Sequence, residues 1–356
     1  MKNIIKLNVV PGEYASLNLG IFELKFVKSY KFLTKLLSYN LKKNVFFRLG
    51  TDEFYILNRF YKNYKKLDKK SAYYSLTKNL DDDSIKLINS QLKKIGKLYS
   101  YKKFFPYIKF FTKDEEQKLQ EIGTNFFKKV YNPEPGVWQY NNYKLPYNHF
   151  EASVLYYKHG IDRLQNLNKI TNSDIIDAGG FIGDSAIVLS DYTKGNIYSF
   201  ECCSNQFNLM KRTIQLNNRS NIVPVKLGLG DNEGSTEINI LDDMFSGNYV
   251  SESKNPGSKE KINITTVDKF VEENNLKVGL IKSDIEGMEQ KMLKGAINTI
   301  KKYKPALIIS IYHNADDYFY IKPWLESLNL GYTFKINKPF DGSIINETCL
   351  IAEVVE

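Results

Sequence analysis

The sequence is poor in the features that mark secreted and membrane proteins. Its 356 residues include only three cysteines, and their spacing fits neither a disulfide framework nor a metal site. No uncharged apolar run reaches the roughly 18 residues that a membrane span requires. The N-terminal segment lacks the long apolar stretch and the small-residue cleavage motif of a signal peptide. These absences predict a cytoplasmic protein with reduced thiols and no transmembrane segment.

Acidic residues are scarce in the first part of the chain. Residues 1–150 contain 28 lysines and arginines against 13 aspartates and glutamates, whereas residues 151–356 contain 22 against 27. The basic excess therefore belongs to one part of the chain, which predicts two units with different surfaces. A lysine-rich solvated surface and an anion-binding patch would both explain this excess, and the sequence leaves both alternatives open.

The pattern of the first 140 residues is mainly helical. Apolar residues recur at near-helical spacing in three segments, 29–41, 81–105 and 114–131. Acids open the last two segments and lysines follow, which complements a helix dipole. Residues 130–148 are rich in proline, asparagine and glycine, which is typical of a linker. We expect residues 1–140 to form a mainly helical, basic accessory domain that binds substrate or mediates homo-oligomerisation.

Residues 141–356 have a different pattern, in which seven short β-rich runs alternate with helical stretches. This alternation predicts βαβ units and a mostly parallel, doubly wound sheet with helices on both faces. The last two runs, 332–336 and 348–355, are joined without a helix and therefore predict an antiparallel pair at one edge. We expect this second unit to be a cofactor-binding α/β domain.

The turn after the first β-rich run has the composition of a cofactor site. The string DAGGFIG ends that run and continues with Gly179, Gly180 and Gly183 before a helix. Glycines let the backbone approach a ligand closely, and the helix N-terminus that follows favours an anionic group. The second run ends in Glu201, whose carboxylate is well placed to accept hydrogen bonds from ribose hydroxyls. The pattern therefore predicts a cofactor that contains a ribose.

Asp177, the acid before the glycines, helps to distinguish between the two cofactors that bind at such turns, NAD and S-adenosylmethionine. A dinucleotide turn follows G-x-G-x-x-G, but Ala178 takes its first glycine position here. Asp177 is unfavourable beside a pyrophosphate and favourable beside the amino group of a methionine moiety. The pattern D-x-G-x-x-x-G, followed by an acid on the second strand, therefore favours S-adenosylmethionine over NAD.

Several longer strings of the second unit carry a family pattern. They are IIDAGGFIGDSA, IYSFE, VPVKLGLGDNEG and, most specifically, ITTVDKFVEEN followed by GLIKSDIEGMEQKMLKGA. With these strings, the chain from about residue 145 to its end resembles the FkbM family of S-adenosylmethionine-dependent methyltransferases. The string ECCSN departs from the Glu-Pro of many members. The resemblance implies a Rossmann-like class I methyltransferase fold and O-methylation in natural-product or surface-glycan pathways.

The resemblance also implies which residues bind the cofactor. These lie after the first three β-rich runs: Asp177, Gly179, Gly180 and Gly183 for the methionine end, Glu201 for the ribose, and Gly228 and Leu229 for the adenine.

Methyl transfer to a hydroxyl also requires a group that removes the proton. His313 closes the fifth run on the same sheet edge as Asp284, and this topology makes it the preferred base. Asp284 and Glu286 are the other predicted catalytic residues, although Glu286 and Glu289 would also simply complement a helix dipole. A metal is left as an open alternative: Asp284 after one strand and His313 with Asn314 after the next are candidate ligands of a divalent cation, but two or three scattered ligands do not establish one, and no metal site is assigned.

Three functions are compatible with the sequence. The preferred one is O-methylation of a sugar hydroxyl, or of another small hydroxyl acceptor, in surface-glycan or natural-product biosynthesis. The basic first unit would also suit an RNA methyltransferase, but the Pro-Pro-aromatic motif of base-amine methyltransferases is absent and nucleic acid is not the expected partner. The third alternative is a non-catalytic glycan-assembly scaffold in peripheral contact with an anionic membrane, against which the intact cofactor residues argue.

Overall fold

The computed structural model describes residues 51–100, 111–240 and 258–355, together with three short strands near the N-terminus. These strands form an antiparallel sheet that the sequence analysis does not predict: β1 (Lys6–Val9), β2 (Ala15–Asn18) and β3 (Glu23–Phe26). The helix predicted at 29–41 lies outside the described residues.

Four helices and a small sheet follow. The helices are α1 (Thr51–Tyr64), α2 (Lys69–Thr77), α3 (Asp82–Ser100) and α4 (Lys113–Asn125). The last two confirm the helices predicted from segments 81–105 and 114–131. Thr112 begins α4 with a capping box, in which its side chain and that of Glu115 each accept the other's backbone N–H. An antiparallel sheet occupies the segment expected to be a linker: β4 (Tyr131–Glu134), β5 (Val137–Tyr140) and β6 (Tyr143–Leu145).

The strands of the second part confirm the predicted α/β architecture. They are β7 (Asp174–Ala178), β8 (Ile197–Phe200), β9 (Ile222–Val225), β10 (Gly228–Leu229), β11 (Gly234–Ile240), β12 (Ser258–Thr265), β13 (Val278–Ser283), β14 (Ala306–Ser310), β15 (Thr333–Asn337) and β16 (Cys349–Glu353). Seven of them form one sheet in the order β15-β16-β14-β13-β7-β8-β9. β16 is antiparallel to both of its neighbours, and the other pairs are parallel. The predicted antiparallel edge is therefore confirmed.

Helices cover both faces of this sheet. They are α5 (Asn168–Thr171), α6 (Asp184–Leu189), α7 (Ser204–Asn217), α8 (Val267–Glu273), α9 (Glu289–Lys294), α10 (Ile297–Tyr303) and α11 (Ala315–Ser327). The sequence predicts one helix over 287–302, but the chain breaks it into α9 and α10. The break falls at Gly295, where a Cβ would lie 2.0 Å from the carbonyl oxygen of Gly230. Among the helices of the described ranges, none combines the length and the apolar character that crossing a bilayer requires.

Alternate residues of the central strands face two separate apolar cores. Ile176 belongs to the first core, where α1, α2 and α3 contribute Leu57, Phe60, Leu76, Ile88 and Ile95. Ile175 belongs to the second core, which contains Ile122 and Phe126 from the region of α4. Helices that precede residue 140 thus complete the core on both faces of the sheet. The division of the chain near residue 140 stays a prediction.

Candidate active site

The turn after β7 is held by close approaches of backbone to backbone. Gly179 has a φ of +81°, and a Cβ on it would lie 1.8 Å from the carbonyl oxygen of Asp284. A Cβ on Gly180 would lie 2.0 Å from Ser199 Oγ. Gly183, with a φ of +85°, begins α6 and packs on Met210. These glycines are therefore required for the packing of the turn, whatever ligand it binds.

A cleft opens beside this turn, at the carboxyl ends of β7, β8 and β13. It encloses about 540 Å³ of space, part of it open to solvent. Six of the predicted site residues line it: Gly179, Glu201, Gly228, Leu229, Asp284 and Glu286. The aromatic rings of Phe181 and Phe200 and the side chain of Gln206, which the sequence analysis does not single out, line it as well. Gly180 and Gly183 are not among the lining residues.

Glu201 presents a fixed carboxylate to the cleft. Its Oε2 accepts the backbone N–H of Phe181 at 3.1 Å, and its Oε1 accepts that of Cys203 at 2.7 Å. Burial raises the pKa of Glu201 to about 7, and these backbone donors oppose that rise. Since each carboxylate oxygen has two acceptor positions, both oxygens can still accept a hydroxyl group. Glu201 is thus suited to the two hydroxyls of a ribose.

Asp177 lies beneath the turn, and its carboxylate does not reach the cleft. The residue is fully buried, and its Oδ2 accepts the hydroxyls of Ser185 at 2.8 Å and Ser199 at 2.6 Å. Lys282 Nζ lies 3.1 Å from Asp177 Oδ1 and also donates to the carbonyl of Gly179 at 2.9 Å. The predicted direct contact between Asp177 and the methionine end is therefore corrected. Asp177 instead fixes the turn, because its oxygens already face buried partners.

A histidine and three carboxylates converge at the carboxyl ends of β13 and β14. Nε2 of His313 lies 3.3 Å from Asp284 Oδ1 and 3.6 Å from Glu286 Oε2. Nδ1 of the same ring lies 3.2 Å from Glu289 Oε1. The histidine and Glu289 are fully buried, whereas the side chains of Asp284 and Glu286 are 19% and 24% exposed. The two carboxylates that line the cleft are therefore the ones a ligand would reach.

The environment of His313 does not suit the role of base predicted for it. Burial opposes the charged imidazolium, but the surrounding carboxylates, led by Glu289, raise the pKa of His313 to about 10. Without a further cation at the site, the ring already carries its proton at neutral pH and cannot accept another. The role of His313 as base stays a prediction, and the carboxylates around the ring argue against it.

Asp284 has a second neighbour that the sequence analysis misses. The hydroxyl of Tyr312 lies 3.3 Å from Asp284 Oδ2 and 3.0 Å from Glu347 Oε1. Burial raises the pKa of Asp284 above its usual value, whereas His313 and Lys282 lower it. A phenol and two carboxylates at hydrogen-bonding distance form a group of oxygen atoms that suits a hydroxylated ligand. In the sequence, the only indication of a role for Tyr312 is its position directly before His313, the predicted base.

The first part of the chain also reaches this cluster. Both terminal nitrogens of Arg59, on α1, donate to the carbonyl oxygen of Glu286 at 3.3 Å. The backbone there is left-handed, with a φ of +59° at Glu286 and +94° at Gly287. Arg59 thus braces the turn that carries Asp284 and Glu286. No local pattern in the sequence indicates this contact, because 227 residues separate its partners.

Comparison with known proteins agrees with this architecture. Residues 177–334 match the family described as the methyltransferase FkbM domain. "Methyltransferase 1" of Beauveria bassiana (strain ARSEF 2860) is 23% identical over 189 residues, which cover 47% of this chain and 75% of that protein. The crystal structure of a methyltransferase FkbM from Methylobacillus flagellatus KT is 20% identical with a TM-score of 0.50. This match covers 82% of the present chain, which spans 60% of the other chain, and it supports the Rossmann-like class I methyltransferase fold.

Proposed function

Residues 177–334 form a domain of the FkbM methyltransferase family, and from this premise we propose that the chain transfers a methyl group from S-adenosylmethionine to a hydroxyl of a carbohydrate or of a similar small acceptor. The observation that carries the proposal is the single cleft in which Gly179, Glu201 and Asp284 meet. The predicted cofactor residues Gly179 and Glu201 and the carboxylates of Asp284 and Glu286 all line that cleft. A methyl group held between them would face the acceptor in line, which is what displacement at a sulfonium requires.

The glycine side of the cleft would hold the cofactor. Glu201 would accept the two ribose hydroxyls, and the short strand at Gly228 and Leu229 would flank the adenine. Gly179 lines the cleft, and its left-handed backbone would form the part of the turn that faces the methionine end. S-adenosylmethionine fits this arrangement better than NAD does, because Ala178 occupies the first glycine position of a dinucleotide-binding turn.

The acidic side of the cleft would hold the acceptor. Asp284, Tyr312 and Glu347 offer oxygens that exchange hydrogen bonds with hydroxyl groups. The carboxylates there would repel the phosphates of a nucleic acid, so a neutral polyhydroxyl compound suits this side better than RNA does. The predicted role of the basic residues before residue 140, in acceptor binding or oligomerisation, stays a prediction. The cytoplasmic localisation stays a prediction as well.

Asp284 takes the place of His313 as the proposed proton acceptor. The acceptor oxygen would attack the methyl carbon, so that the C–O bond forms while the C–S bond breaks and the sulfonium becomes a neutral thioether. The hydroxyl proton would pass to Asp284, whose raised pKa makes it a stronger base than an exposed aspartate. In the absence of a cation, His313 would keep its second proton and bridge the carboxylates around it.

The test is a transfer assay with labelled methyl donor over nucleotide-sugars, glycans and RNA. We expect label in a carbohydrate, and we expect Asp284→Asn to lower kcat by about 10²–10⁴-fold while cofactor affinity changes little. Asp316→Asn is the matched control, because this exposed carboxylate lies in the first turn of α11 near the cluster. Label in RNA alone, or full activity of the Asp284 variant, would contradict the proposal.

A further inference from the structure

We propose that Asp284, Glu286 and His313 bind a divalent transition-metal cation at the acceptor side of the cleft. The proposal rests on the proposed function, because it gives this cation a role beside the acceptor hydroxyl. The donor atoms come from the turn after β13 and from the segment after β14. Those of Asp284 and His313, together with that of Glu289, lie within 4.8 Å of one another.

The first observation is the unsatisfied ring of His313. The side chain is fully buried, and neither of its nitrogens makes a hydrogen bond of acceptable geometry in the structure. Nε2 points between Asp284 and Glu286, at 3.3 Å and 3.6 Å from their nearest oxygens. Metal bonds of about 2.0–2.2 Å place neighbouring donor atoms at about such separations. Each carboxylate therefore lies at a distance from Nε2 that two ligands of one ion can have.

The second observation is the carboxylate behind the ring. Oε1 of Glu289 lies 3.2 Å from Nδ1 of His313 and accepts the backbone N–H of Ile285 at 2.9 Å. Histidines that ligate metals commonly direct their other ring nitrogen at a carboxylate, which fixes the tautomer and the ring orientation. In this proposal Glu289 is a positioning residue: its carboxylate, 3.2 Å from Nδ1, would favour the proton on that nitrogen and leave the Nε2 lone pair for the ion.

The donor set indicates the kind of ion. One imidazole nitrogen and two carboxylate oxygens suit Mn²⁺, Fe²⁺ or Zn²⁺ better than Mg²⁺, which prefers oxygen ligands alone. Asp284 and Glu286 line the cleft, so one side of such an ion would face the acceptor. A cation there would lower the pKa of an acceptor hydroxyl and orient it. Asp284 Oδ2, beside Tyr312, would remain available for the proton.

The alternative occupant of the same space is a proton. A doubly protonated His313 would also bridge the carboxylates, and it would leave no position for a cation. The two arrangements differ in a quantity that does not depend on methyl transfer, namely the affinity of the protein for the metal alone.

The experiment uses the full chain after treatment with a chelator. Calorimetric titration with MnCl₂ is expected to show one site. His313→Gln and Glu286→Gln are expected to weaken binding more than tenfold, and Glu289→Gln by about 10–100-fold. Asp316→Asn, an exposed neighbour, is expected to leave the affinity unchanged. Absence of Mn²⁺ binding by the wild-type protein, or equal binding by the His313 variant, overturns the proposal.

A second measurement guards against variants that fail to fold. Pulsed EPR of the wild-type Mn²⁺ complex is expected to show coupling to one imidazole nitrogen, and a spectrum without it overturns the assignment. Titration of S-adenosylmethionine into the same protein separates the two proposals. Cofactor binding without a metal site removes this inference alone, whereas a metal site without cofactor binding removes the proposed function alone.

Discussion

The two sides of the cleft are built in different ways. The cofactor side depends on close backbone contacts, with Gly179 packed against the chain at Asp284 and one carboxylate, Glu201, held by two peptide N–H groups. The acceptor side consists of side chains that converge from distant segments, with His313 among three carboxylates and Arg59 bracing their turn. We therefore expect the cofactor side to be most sensitive to substitutions that change the size of a side chain. We expect the acceptor side to be most sensitive to substitutions that change its charge.

Among the substitutions that test this comparison, Gly179→Ala is expected to have the largest effect on stability and on cofactor binding. The added Cβ would meet the Asp284 carbonyl at 1.8 Å in a left-handed backbone, so the variant should lose cofactor binding. We expect the free energy of unfolding to fall by about 3–5 kcal/mol, measured by denaturant titration. Gly96→Ala is the control, because nothing lies within 4 Å of a Cβ there and alanine favours the helix. Equal stability of the two variants would show that the turn is not tightly packed.

Glu201→Gln probes the one charged group of the cofactor side. We expect the affinity for S-adenosylmethionine to fall by about 1–3 kcal/mol, because the ribose hydroxyls lose their anionic acceptor. Calorimetry measures this change, and Glu233→Gln, an exposed glutamate, is the control. Unchanged affinity in the Glu201 variant would refute the ribose assignment.

The pH dependence of cofactor binding should follow the same carboxylate. The pKa of Glu201 is raised to about 7, so the ionised form that accepts the ribose hydroxyls predominates only above that pH. Affinity should therefore fall as pH is lowered from 8 to 6, by about tenfold. The contribution of Glu201 to the free energy of unfolding of the free protein should instead fall as pH rises from about 4.5 to about 7. Both slopes should flatten in Glu201→Gln, and slopes that persist there would assign them to another group.

The smallest effect is expected from Arg59→Lys on the acceptor side. Lysine keeps the charge but loses the pair of donors that holds the Glu286 carbonyl. We expect kcat to fall about threefold to tenfold, from the loss of about 1 kcal/mol of hydrogen bonding, with cofactor affinity unchanged. Lys62→Ala, an exposed neighbour on α1, should change neither quantity. A loss of cofactor affinity in the Arg59 variant would show that the two sides are not separable.

The sequence predicts the cofactor side better than the acceptor side for a physical reason. The strand at Asp174–Ala178 and the glycines after it are neighbours in the chain, so their local pattern is sufficient to predict the turn. The pairing of the buried Asp177 is not a local property, because its partner Lys282 comes from another strand. The composition around residue 295 likewise gives no sign that a helix breaks where Gly295 meets the Gly230 carbonyl.

The protonation state of His313 is likewise not predictable from the local sequence. Topology correctly places this residue beside Asp284 and Glu286, but its protonation depends on Glu289, which the sequence assigns equally to a helix dipole. The contact from Arg59 spans 227 residues of sequence and follows from the packing of α1 against the second part of the chain. Long-range side-chain convergence of this kind has no signature in a single sequence.

The most direct test of the central claim is calorimetric titration of the full chain with S-adenosylmethionine, S-adenosylhomocysteine and NAD. We expect saturable binding of the first two at one site per chain, weakened by Glu201→Gln, and no binding of NAD. Binding of NAD, or failure to bind either S-adenosyl compound by protein that is folded, would contradict it.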